Sequence, residues 1–184
     1  MKAQRTLLIL AASAALSGCF SFGGKTPDTL MRLSAEATRG PSSRAAPSAQ
    51  AITVVVPAVS QELKTVRVPV RTGANAVAPL KDAQWVDDPG ALFARLVGET
   101  ISATTGRVVL DPRQFTFDPG QRLTGTLHTF GLVADTMEVV VVDDAAIARG
   151  QDGVETRRFE ARVPVAAIDA ASAPAALNRA ANQV

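Results

Sequence analysis

The strongest constraint on the fold lies near the end of the chain. Glu155 to Val163 alternates, with Phe159, Ala161 and Val163 on one side and Arg158, Glu160 and Arg162 on the other, the two-residue period of a strand with one wet face. Thr136 to Val142 is strongly β-forming, and Gly150-Gln151-Asp152-Gly153 turns one segment into the other. An antiparallel hairpin follows, and its apolar side must lie on another layer.

Two segments can supply that layer. Asp88 is placed to cap a helix that has Pro89 at its first position and Gly106 as its stop. Leu92, Phe93, Leu96, Val97, Ile101 and Thr104 form one stripe along it, and Trp85 just ahead of the cap is expected to fold back onto its first turn as core. A second helix opens at Ser172 with Leu177, Ala180, Ala181 and Val184 in a stripe. Because that stripe runs to Val184, the helix either frays there or is clipped.

The remaining strands are shorter. Ile52 to Val56 is a β-branched run stopped by Pro57, and Val108 to Leu110 is brief. Leu123, Gly125 and Leu127 share a face with which Phe130 is out of phase, so a bulge is expected near His128 and Thr129. Leu63 to Arg71 alternates, and Pro69 within it predicts an edge strand or an extended arm. Thr29 to Leu33 is long enough for one brief strand, and residues 34–50, rich in Ala, Ser, Pro and Arg, read as a flexible loop. The expected fold is α+β and two-layered: a twisted, mostly antiparallel sheet with two helices packed on one face. Hydrophobic residues make up 47% of the chain but aromatic ones only 4%, so the core is built mainly from Ala, Val and Leu.

Ahead of the folded part, Lys2 and Arg5 precede an apolar run from Leu7 to Leu16, followed by Ser17, Gly18 and the single cysteine, Cys19. This is the layout of an export signal. Small side chains at Ser17 and Gly18 let a peptidase reach the bond before Cys19, whose thiol can take a lipid. Leu16-Ser17-Gly18-Cys19 therefore reads as a lipobox, with residues 1–18 as signal peptide, 19–28 as lipidated cysteine and tether, and 29–184 as one domain. The tether after Cys19 reaches about 30 Å when extended. The apolar run is too short for a membrane span, which needs about 20 residues. The formal charge of +2 comes from 19 basic and 17 acidic residues, and loss of Lys2 and Arg5 brings it to zero. A neutral chain argues against a nucleic-acid partner.

No catalytic constellation is legible. His128 has no second histidine or cysteine with which to hold a metal, and no nucleophile elbow, phosphate loop or dinucleotide fingerprint occurs. Asp143 and Asp144 are neighbours in a strand and so point to opposite faces, which is not the geometry of an acid/base couple. No cofactor is expected, and the chain is not read as an enzyme. Candidate interface residues are Arg67 and Arg71 on the arm, for which a solvated strand face is the plainer reading, and Phe115 and Phe117 in the loop after Pro112.

Several local strings carry a family resemblance. Leu63-Lys64-Thr65-Val66-Arg67-Val68, then Pro79 to Asp87 with Trp85, the Leu92 to Ile101 helix, Phe159-Glu160-Ala161 and Leu177-Asn178-Arg179-Ala180 together resemble the ABC-type transport auxiliary lipoproteins. The chain departs from the family where Leu30 to Leu33 lack its usual tyrosine, and where its last helix usually continues past Val184. The resemblance implies a lipid-anchored periplasmic partner of a transporter with MCE (mammalian cell entry) subunits that moves lipids between the inner and outer membranes. Phe20 after the cysteine resembles the sorting pattern for the outer rather than the inner membrane. The expected partners are an MCE-domain subunit and the membrane, through the anchor; a homo-oligomer stays open. The alternative is a lipid-binding chaperone, which needs a cavity of a few hundred Å³ that this light core does not obviously offer.

Overall fold

The computed structural model describes residues 27–37, 50–112, 120–148 and 153–184. In chain order they form β1 (Ile52–Val54), β2 (Ala58–Val59), a 3-10 turn (Gln61–Leu63), β3 (Arg67–Thr72), β4 (Ala76–Gln84), α1 (Pro89–Thr105), β5 (Val109–Leu110), β6 (Gln121–Val133), β7 (Glu138–Ala148), β8 (Val154–Pro164) and α2 (Ala173–Gln183). The eight strands make one sheet, and the α+β expectation holds.

β6 organises that sheet. Along one edge it runs antiparallel to β7, from Arg122 opposite Ala148 to Val133 opposite Glu138, and β7 in turn carries β8. Along its other edge β6 takes β1, β2 and β3 one after another, all parallel to it. β5 extends the sheet beyond β1 and β4 beyond β3. The long pairings are thus antiparallel and the short ones parallel. The register of β6 against β7 slips between Leu127 and Thr129, the bulge that the phase of Phe130 demands. The hairpin of β7 and β8 is formed as expected, although most of its turn lies outside the described residues.

The edge-strand expectation for Leu63 to Arg71 is overturned: β3 is interior, flanked by β4 and β6. Proline usually excludes this because it brings no ladder donor. Here Pro69 faces Pro79 across the β3/β4 pair, so neither residue leaves an N–H to satisfy. On the β6 side it rests on Gly131, where a Cβ would overlap the Pro69 carbonyl and come within 2.8 Å of its ring. The register then shifts, since Arg67 faces Gln84, and β4 takes up the extra residues through Asp82 at φ 54°. β4 itself is an addition to the expected elements.

Both helices feed one core. α1 begins as its sequence requires: Asp88 accepts from Ala91 N at 3.1 Å, Pro89 follows, and Gly106 ends the helix at φ 73°. α2 starts differently from expectation. Ser172 makes no side-chain cap; instead Asp169 accepts from Ser172 N at 2.7 Å and Ala171 N at 3.1 Å. Those donors hold the Asp169 carboxyl below its usual range. Along α2, Ala173, Ala176, Ala180 and Ala181 are buried beside Leu177, and their small side chains bring the helix close to the sheet. Trp85 is core, 2% exposed, with its ring 4.9 Å from Phe130, which meets Phe93 edge-on at 6.3 Å. Each such side chain stabilises the fold by about 1.5–3 kcal/mol through burial.

Residues 31–36 are fastened to this body, so the start of the segment expected as a flexible loop over 34–50 is held, and residues 38–49 of it lie outside the described residues. Met31 N donates to Gln84 O and Val86 N to Met31 O, both at 2.8 Å. Ser34 N donates to Asn178 Oδ1 at 2.8 Å, and Glu36 N to Asn182 Oδ1 at 2.9 Å. Asn182 Nδ2 returns a bond to Ser34 O at 3.0 Å. One turn apart on α2, the two asparagines read the backbone of a segment far away in sequence.

Candidate functional site

The stripe on α1 is not buried evenly. Leu92, Phe93 and Leu96 are 2–4% exposed, whereas Val97 and Ile101 are only half-buried. Beneath them lies a cavity of about 230 Å³, with Val54 and Leu123 on the sheet side, Val97 and Ile101 on the helix side and Val184 also lining it. Its cause is a convergence of small side chains: Gly125 on β6, Ala145 on β7 and Ala94 on α1 all line the space and none fills it. The light core thus leaves a hollow between helix and sheet, smaller than the few hundred Å³ that a lipid chaperone needs.

Two polar residues line this space, Thr124, whose hydroxyl donates to Ala146 O at 3.3 Å, and Asp143. Asp143 is 7% exposed and lines the cavity beside Phe159, its partner on β8. Its Oδ1 is buried and has no hydrogen-bond partner among the described residues. Burial, with the neighbouring Asp144 charge, pushes its pKa up to about 6.

Asp144 shows the opposite behaviour. On the other face of β7 it accepts two bonds from Arg158, each at 2.6 Å, and meets His128 Nε2 at 2.8 Å. The Arg158 hydrogen bond, helped by His128, lowers its pKa to about 2. Alternation along a strand therefore gives two adjacent carboxyls opposite environments. The wet face continues with Arg162 between Glu160 at 2.7 Å and Glu138 at 3.4 Å. Among the described residues, no group of three or more His, Cys, Asp and Glu side chains could hold a metal ion.

The other candidates are dispersed. Arg71 pairs with Glu62 at 2.5 Å, so its charge is used within the domain, while Arg67 is exposed. The two stand on an interior strand rather than a free edge. Phe115, Phe117 and the lipobox Leu16-Ser17-Gly18-Cys19 lie outside the described residues. Asn178 and Asn182 were not singled out as contact residues, because nothing in the sequence ties them to Ser34 and Glu36. Asp143 was visible only as half of an acidic pair.

No curated protein sequence matches this chain. Two crystal structures are similar in fold. One, described as an uncharacterized protein, has a TM-score of 0.64 at 16% identity, covering 75% of this chain and 88% of that one. The other, a Xanthomonas campestris protein assigned to the DUF330 family, has a TM-score of 0.66 at 18% identity, covering 84% and 89%. The family whose model matches is described as the ABC-type transport auxiliary lipoprotein component, over residues 32–184. It is a family of transport components rather than of known enzymes, and its lipoprotein character places its members on an envelope membrane. No helix among the described residues is long and apolar enough to cross a membrane. The match begins beside Met31, takes in both helices and all eight strands, and is enough to say that this chain belongs to the ABC-type transport auxiliary lipoprotein components.

Proposed function

We propose that the chain is cleaved before Cys19, lipidated there, and held on the periplasmic side of the outer membrane, where it docks an MCE-type ABC transporter that moves lipids between the two membranes. Residues 1–18 act as the signal peptide, residues 19–28 as the lipidated cysteine and tether, and residues 29–184 as the domain. The family match over residues 32–184 carries this reading. It is supported by the fastening of Met31, Ser34 and Glu36 to the body, which fits a domain that begins near residue 29. Two or three acyl chains on Cys19 hold a protein firmly, since each buried CH₂ contributes about 0.8 kcal/mol. Cys19→Ala is expected to move the protein from the membrane pellet to the soluble fraction. Persistence in the pellet after a salt and carbonate wash refutes the anchor.

Docking falls to exposed side chains. With Arg71 engaged by Glu62, Arg67 is the better of the two arginines for a partner contact, and Phe115 and Phe117, which lie outside the described residues, are the second candidates. Arg67→Glu is expected to leave the domain folded, within about 0.5 kcal/mol, and to abolish recovery of the transporter subunit or of a self-assembled ring in a pull-down. Undiminished recovery removes Arg67 from the interface. The second reading, a lipid-binding chaperone, is favoured by the cavity under α1. At about 230 Å³ that cavity is smaller than the ~300 Å³ at which small-molecule pockets ordinarily begin. It suits one alkyl chain rather than the two of a membrane phospholipid. Native mass spectrometry after gentle extraction separates the readings: a stoichiometric two-chain lipid besides the anchor supports the chaperone.

A further inference from the structure

We propose that the cavity between α1 and the sheet is a binding site for a single-chain amphiphile bearing a primary ammonium, with the ammonium seated on Asp143 and the chain lying under Val97 and Ile101. Two observations and one general rule converge on it. The lining is apolar apart from Asp143 and Thr124, so the body of a ligand must be hydrocarbon. Asp143 is more than nine-tenths buried and its Oδ1 has no partner among the described residues, so the head must donate hydrogen bonds. Finally, a carboxylate in an apolar pocket is stabilised most by a donor that is also positively charged.

The depth of the groups sets the orientation. Phe93 and Asp143 are nearly closed to solvent, whereas Ile101, Ala145 and Val184 are partly open. The ammonium therefore enters first and the chain follows toward Ile101. The volume of about 230 Å³ holds about eight water-sized groups at ~30 Å³ each, which fits an octyl chain. Gly125 shapes the head position, because a Cβ there would stand 3.3 Å from Asp143 Oδ1. The charged groups around Asp143 are arranged so as not to satisfy it. Asp144, on the same strand, points to the other face and takes His128 of β6 and Arg158 of β8 for itself. On the cavity side of β8, Arg157 lies over the Phe159 ring at 5.0 Å.

The test is calorimetric titration of the full chain, made with Cys19→Ala so that no detergent competes, with octylamine, 1-octanol and octanoate at pH 7.5. Octylamine is expected to bind at least tenfold more tightly than either of the others. Because protonation near pH 6 removes the negative charge of Asp143, octylamine is expected to lose about tenfold between pH 7.5 and pH 5. A His128→Gln background keeps that pH dependence specific to Asp143. Asp143→Asn, close to isosteric, is expected to bring octylamine down to the affinity of octanol while leaving octanol unchanged. The proposal is overturned if octanoate or octanol matches octylamine, if Asp143→Asn binds octylamine as the parent does, or if no octylamine binds at millimolar concentration. None of these outcomes bears on membrane anchoring or partner capture, which are read from the pellet and the pull-down.

Discussion

The two ends of α1 rest on the same sheet and meet different floors. At its first turns Leu92, Phe93 and Leu96 are buried in the cluster that holds Trp85 and Phe130, with Phe93 also bordering the cavity. At its last turns Val97 and Ile101 face Gly125 and Ala145, and the layer is hollow, with a carboxyl in its wall. A continuous apolar stripe on a helix therefore says which side is buried and nothing about what it is buried against. The first turns hold the helix's most buried side chains, and the room for a ligand opens from Phe93 toward Ile101.

The contrast can be broken most sharply at Phe130. Phe130→Ala is expected to cost about 3–5 kcal/mol, since the side chain is fully buried between Trp85 and Phe93. A loss below about 1 kcal/mol on chemical denaturation shows that the first end is loosely packed as well.

Asp143 sets the sign at the hollow end. Its pKa is raised from 3.8 to about 6 in the fold, so between those values the native state binds more protons than the unfolded chain. Stability is then expected to rise as the pH falls from 7 toward 4, as the penalty for the buried charge disappears. Asp144 acts the other way: its lowered pKa, about 2, contributes stability that is lost as the pH falls from about 4 toward 2. Asp143→Asn is expected to stabilise the protein by about 2 kcal/mol at pH 7 and by nothing at pH 4. Equal melting temperatures for the two proteins at pH 7 remove the charge from the cavity wall.

Gly131→Ala probes the packed side from the sheet, where a Cβ meets the Pro69 carbonyl. It is expected to cost about 1–3 kcal/mol. Melting temperatures of the parent and variant decide this, and an unchanged value shows that β3 can move away from β6. Asn182→Ala is expected to cost about 1 kcal/mol and to raise hydrogen exchange at Glu36 without altering either end of α1. Protection retained at Glu36 shows that this segment is held by other contacts. The smallest effect is expected at Ile101→Ala, below about 1 kcal/mol, because the side chain already borders empty space. A cost as large as that of Phe130→Ala would mean that the cavity is closed.

The legibility of these features followed their range. α1 could be read because Asp88, Pro89 and Gly106 lie on the helix they delimit, and the bulge because Leu127 and Phe130 report its phase within a few residues. The interior place of β3 could not be read. It depends on Pro79 having no donor and Gly131 having no side chain, and only the folded sheet brings both to Pro69. The cavity was hidden for the same reason, since Ala94, Gly125 and Ala145 are unremarkable singly and leave a void only where three elements converge. Opposite faces for Asp143 and Asp144 were predictable from alternation alone. Which face was dry was not, because Arg158 had to arrive from β8 to claim Asp144.

The fastening of the leading segment also determines how the domain bears a mechanical load. Tension applied ahead of residue 31 meets the Met31 bonds to Gln84 and Val86 first, and behind them the asparagine clamps at Ser34 and Glu36. The first set is attached beside β4 and the second on α2, so a pull has to break attachments to two elements in turn. The first attachments flank Trp85, which is 2% exposed, and the last, on Asn182, lies two residues before Val184 in the cavity lining. A pull on the residues ahead of Met31 is therefore expected to load the Met31 bonds before it reaches the helix end that borders the cavity.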